Sequence, residues 1–147
     1  MKITKYLHAS PVFAINTAYE AIVPKLNQKL KAEKLNLLQG LVLTALFFEG
    51  ENDIGPSQLA DLFQTSRGNM SHIISHLEAM GWVKRVLNPN DARGFKIELK
   101  AEGRRKALGL IKFYDAIQDQ LETKLGVAAC QKTVENLRAM TAVVRSR

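Results

Sequence analysis

The stretch from Ser66 to Ala79 reads SRGNMSHIISHLEA, and until Glu78 its polar side chains are hydrogen-bond donors or mixed donor–acceptors. Met70, Ile73, Ile74, Leu77 and Met80 recur at helical spacing and occupy one face. Arg67, Gly68, Asn69, Ser71, His72, Ser75 and His76 are left on the other, behind Ser66 as the N-cap. A guanidinium can make two parallel hydrogen bonds to a guanine edge, and a carboxamide can do the same to an adenine edge. Gly68 lets a partner come close to the helix N-terminus, where the helix dipole favours phosphate. This is recognition chemistry for a polyanion. A solvated surface helix is polar on one face too, so the surrounding elements have to separate the two readings.

Other chemistries find little support. His72 and His76 stand four apart, a spacing that can hold zinc, but no third ligand lies near them in sequence. Phosphate or base contact suits them better, and no metal or other cofactor is expected. Cys130 is the single cysteine, so no internal disulfide can form and a reducing compartment is the natural setting. We read it as an inert thiol. No Ser-His-Asp or Cys-His arrangement and no glycine-rich phosphate loop is present, which argues against an enzyme.

Five helices and one hairpin surround the polar stretch. Apolar residues from Phe13 to Leu30 predict a helix over 10–31, which Pro24 is expected to bend near Glu20. Asn36 caps a second helix over 37–49, apolar nearly all round and therefore central. Pro56 opens a short third helix, with Leu59, Ala60, Leu62 and Phe63 as its buried face. Gln64 and Thr65 form a tight turn into the polar helix, which Gly81 stops. Trp82 to Leu87 and Phe95 to Leu99 read as two strands, and the turn formers at 88–94 as a projecting loop. A long helix over 101–125, a break at Gly126 and a last helix through Val144 complete the chain. The fold class is mainly α (α+β). Two short helices at a tight turn, followed at once by a hairpin, describe a winged helix-turn-helix.

With 147 residues the chain is one domain that can bury a core without a metal or disulfide. Its 21 Lys and Arg against 14 Asp and Glu give a net charge of +7, compatible with a nucleic-acid partner and equally with simple solubility. No apolar run is long enough to span a membrane, so a cytoplasmic protein is expected. Phe13, Ile15, Tyr19, Leu110, Phe113, Tyr114, Val143 and Val144 exceed what one subunit can cover, which points to a homodimer.

From Leu59 to Gly103 the chain resembles, without a gap, the multiple-antibiotic-resistance-regulator (MarR) family of winged-helix transcriptional regulators. The matching residues are Leu59-Ala60, Ser66, Leu77-Glu78 with Gly81, Val83, Arg85, Pro89, Asp91-x-Arg93, Leu99 and Gly103. The resemblance implies a single MarR-like domain over 1–147, with a winged DNA-binding part over 37–100 and dimerisation helices over 10–31 and 101–146. It implies a repressor that binds double-stranded DNA at a palindromic operator. A small aromatic or phenolic anion would release it, bound by residues the sequence does not identify. Ser66, Arg67, Gly68, Asn69, Ser71, His72, Arg85 and Arg93 are then the DNA-contacting set, with Arg93 probing the minor groove from the wing. The residues themselves also allow Arg93 an ion pair with Asp91. Arg67, His72 and Ala92 stand where the family often has proline, arginine and arginine, so operator sequence does not carry over. Lys100 replaces a capping threonine and is expected to loosen the start of the long helix. The alternative is a winged-helix protein-interaction module that does not read DNA.

Overall fold

The computed structural model describes every residue except Met1, Glu51 and Arg147, and only the backbone of Ala92 and Arg93. The described residues are mostly helical, with one small antiparallel sheet. The order is α1 (Lys2–Ala9), α2 (Pro11–Leu30), a 3-10 turn (Lys31–Glu33), α3 (Leu37–Glu49), α4 (Pro56–Leu62), α5 (Arg67–Ala79), β1 (Val83–Asn88), β2 (Asp91–Leu99), α6 (Ala101–Leu125) and α7 (Val127–Arg145). Two compact units divide it, residues 1–107 and 108–147, so the boundary falls within α6.

In the first unit, the expected caps form. Asn36 Oδ1 accepts from Gln39 N at 2.9 Å while Asn36 N donates to Gln39 Oε1 at 2.9 Å, a reciprocal capping box for α3. Pro56 sits at the start of α4. Gly81, at φ 75°, ends α5 through Trp82 N to the Leu77 carbonyl at 3.1 Å and Gly81 N to the Glu78 carbonyl at 2.9 Å. Val42, Leu43 and Leu46 of α3, Leu59 and Ala60 of α4, the apolar face of α5, and Val83 and Ile97 of the hairpin are buried. Each large side chain placed there contributes about 1.5–3 kcal/mol of burial. Gly103 packs so tightly on the Trp82 carbonyl that a Cβ would collide with it.

Several expectations change. Residues 2–9 form a helix that the sequence did not announce. Ser10 caps α2, accepting from Phe13 N at 3.3 Å. α2 runs as one helix through Pro24. Leu62 is exposed rather than buried, while Leu59 and Ala60 of the same helix are buried. At the start of α6, Lys100 N donates to the Trp82 carbonyl and Arg104 N to the Lys100 carbonyl, both at 2.9 Å.

The hairpin is longer than its sequence pattern suggests. Asp91 to Gly94 belong to β2, not to a loop, and only Pro89-Asn90 turn the chain. Leu87 pairs with Phe95 but Asn88 with Asp91, so residues 92–94 have no counterpart on β1. Such a bulge bends the strand and leaves the extra residues unpaired, which lets turn-forming residues lie within β2.

In the second unit, α7 has no buried residue, and Val134, Leu137, Val143 and Val144 are exposed along it. The Tyr114 hydroxyl is buried and has no hydrogen-bond partner among the described residues; burial pushes its pKa up to about 12.

Candidate nucleic-acid interface

α5 is anchored by Met70, Ile73, Ile74 and Leu77, all buried. The rotation this fixes leaves Ser66, Arg67, Gly68, Asn69, Ser71 and His72 exposed together on the opposite side. Ser66 Oγ accepts from Asn69 N at 3.0 Å, as a helix cap should. Asn69 Nδ2 donates to Thr65 Oγ1 at 2.8 Å, which holds the carboxamide in one orientation over the first turn. Thr65 was not anticipated, although its i, i+4 spacing to Asn69 is visible in the sequence.

Gly68 is informative because the fold does not require it. A Cβ there would meet nothing nearer than Ser66 Oγ at 4.0 Å, and its φ is not positive. Glycine inside a helix costs roughly 1 kcal/mol relative to alanine. The free protein supplies no steric reason for that cost, whereas a partner closing on the helix N-terminus would.

Two residues expected to face outward are engaged within the chain. His76 Nε2 donates to the Lys34 carbonyl at 2.8 Å; a carbonyl only accepts, so Nε2 carries the proton. Lys34 lies at φ 58°, between the 3-10 turn and α3, so this bond ties α5 to the exit of α2. Arg85 is half-buried and faces inward along α5. Its guanidinium pairs with Glu78 and donates to Ser75 Oγ at 2.9 Å and to the Ser71 carbonyl at 3.4 Å. Arg85 N also donates to Glu78 Oε1 at 3.1 Å. Glu78 therefore braces β1 against α5, a role that no periodicity in the sequence announces. The side chain of Arg93 lies outside the described residues; its backbone is in the bulge of β2.

The wing's outward face carries an ion cluster. Glu98 bonds Lys84 across the hairpin and Lys96 along its own strand, each at 3.1 Å. These lysines, Lys84 first, hold the Glu98 carboxyl below the usual carboxylate range. Glu98, and then Asp53, in turn raise Lys96. Among the described residues no three His, Cys, Asp or Glu gather where a metal could sit, and no helix is long and apolar enough to cross a membrane.

Two short helices at a tight turn, the second buried on one side and open on the other, with a braced hairpin behind them, define a winged helix-turn-helix protein. Residues 35–95 match the sequence model of the MarR family. The HTH-type transcriptional regulator PrsX of Escherichia coli is 35% identical over 78 residues, covering 53% of this chain and 47% of PrsX. The transcriptional repressor MprA of Escherichia coli is 32% identical over 77 residues, covering 52% of this chain and 44% of MprA. The chain thus spans about half the length of these curated relatives. The multiple antibiotic resistance protein MarR of Salmonella typhimurium is 27% identical over 124 residues, 80% of this chain and 78% of that protein. The fold is that of a Staphylococcus aureus MepR–DNA complex, with a TM-score of 0.82 at 18% identity, covering 92% of this chain and 96% of that one. BldR of Sulfolobus solfataricus has a TM-score of 0.77 at 20% identity, covering 97% and 98%.

Proposed function

We propose that the chain is a sequence-specific DNA-binding regulator of transcription that acts as a homodimer in the cytoplasm. The observation that carries this reading is the exposed, carboxylate-free first turn of α5, on a helix whose other face is fixed in the core. In this reading α5 enters the major groove and the wing follows the adjacent minor groove. Arg67 and Asn69 meet base edges, Ser66 and Gly68 admit a phosphate to the helix N-terminus, and Ser71 and His72 extend the contact. Arg85 supports this surface by clamping β1 to α5, and Arg93 serves the wing.

The dimer rests on surface that one chain leaves bare. Ile3, Tyr6, Val12, Tyr19 and Ile22 of α1 and α2 are each more than half exposed, as are Val143 and Val144 of α7. A second copy is the partner of matching chemistry, and its two-fold axis calls for a palindromic operator. The likeness to MprA, a transcriptional repressor, favours repression. Release by a small aromatic or phenolic anion is what the family resemblance implies.

Selection of bound duplexes from a random pool tests the reading. It should enrich an imperfect palindrome with half-sites about one helical turn (~34 Å) apart. Affinity should fall by about 0.9 log units per neutralised phosphate for each log unit of salt. No enrichment and no salt dependence would replace the reading with a winged-helix protein-interaction module.

A further inference from the structure

Glu78 braces β1 from α5, and a second carboxylate from outside the hairpin, Asp53, holds the turn and β2. Asp53 lies in the segment between α3 and α4. Its Oδ2 accepts from Asn90 Nδ2 at 2.8 Å, and its Oδ1 faces Lys96 Nζ at 3.2 Å. Asn90 is in the turn and Lys96 is on β2, so the two oxygens of one side chain fasten both to the same loop. The backbone continues the attachment, with Ile97 N donating to the Ile54 carbonyl at 2.9 Å. At Gly55 the loop runs so close to the strand that a Cβ would stand 2.7 Å from the Phe95 carbonyl oxygen.

The hairpin needs such support. Two strands alone are marginally stable, and the bulge opposite Leu87 and Asn88 interrupts their pairing near the turn. The bonds between the strands set their register but leave the angle of the wing to whatever grips it from outside. We infer that Asp53 is the wing-positioning residue. It fixes the turn against the α3–α4 loop and thereby sets where the wing meets the flank of a bound duplex. The inference rests on the DNA-binding reading and deepens it. Electrostatics alone gives an anion on a DNA-binding surface the opposite effect, because removing a carboxylate makes the protein more positive and should tighten binding to any duplex.

The test has two arms. In the DNA-free protein, amide exchange at Ile97 reads the attachment, with Ile74 in α5 as the internal reference. Asp53→Ala should speed Ile97 exchange by roughly tenfold, as expected for losing hydrogen bonds to a charged group, and leave Ile74 unchanged. Asp53→Glu, which keeps the carboxylate, should restore part of the protection. Unchanged exchange at Ile97 in Asp53→Ala overturns the attachment whatever the protein binds. In the second arm, affinity is measured for the selected duplex and for versions with altered flanks. Asp53→Ala should reduce discrimination between flanks by roughly fivefold, with no loss of affinity for unrelated DNA. In an Arg93→Ala background the same substitution should have no further effect. Intact flank discrimination beside a loosened Ile97 overturns the positioning role. A wild-type chain that binds no duplex overturns the DNA-binding reading and that role with it, and the exchange arm then reports on the attachment alone.

Discussion

At the scale of single residues, Gly68 separates folding from recognition. Among the described residues nothing crowds it, and no special backbone angle needs it. Gly68→Ala should therefore raise stability, by up to about 1 kcal/mol in thermal or chemical unfolding. The same methyl group would stand between the helix N-terminus and an approaching phosphate, so operator affinity should fall. A variant that is more stable and binds as tightly as before would remove Gly68 from the interface. Arg67 and Arg85 make the complementary contrast. They are one residue type, but Arg67 is exposed at the head of α5 while Arg85 is committed to Glu78, Ser75 and Ser71.

At the scale of elements, the wing should respond to acid in a defined direction. Glu98 is held below its ordinary value by Lys84 and then Lys96. A carboxyl lowered in the folded state stabilises fully above its unfolded pKa and loses that contribution as pH falls through the lowered value. Lys96 is raised, so its contribution persists below the ordinary lysine range and is lost only in strong base. The cluster is therefore intact at neutral pH and opens in acid. Lys84→Ala should let the Glu98 carboxyl titrate at higher pH in a carbon-13 NMR titration; an unmoved midpoint would show that the cross-strand pair does not form in solution. The elements themselves were largely legible, because α3 to α5 announce their caps and their periodicity. α1 was not, since its eight residues precede the Ser10-Pro11 start signal and bury nothing. The wing is longer than its residue types suggest, because a bulge absorbs residues that favour turns. The fate of His76 and Arg85 was hidden for a different reason. Their partners, Lys34 and Glu78, belong to other segments, and helical spacing shows only which face a side chain is on.

At the scale of the molecule, the exposed apolar side chains of α1, α2 and α7 predict a second copy. Leu110, expected from the sequence to belong to that surplus, is instead buried within the chain. The remaining surface is ample, and sedimentation at micromolar concentration should give a dimer; a folded monomer would contradict this assembly. The central claim is that the face of α5 and the wing read DNA. The most direct measurement is affinity at fixed salt for the wild-type chain, Arg67→Ala, Asn69→Ala and Arg93→Ala against a panel of operator mutants. Arg67→Ala should lose about 1–3 kcal/mol and relax preference at one position per half-site. Asn69→Ala should relax a different position without removing charge. Arg93→Ala should weaken binding and flatten the preference for A·T pairs at the operator flanks, where a narrow minor groove attracts a cation. Arg67→Ala and Arg93→Ala variants that both keep wild-type affinity and preference would contradict the account.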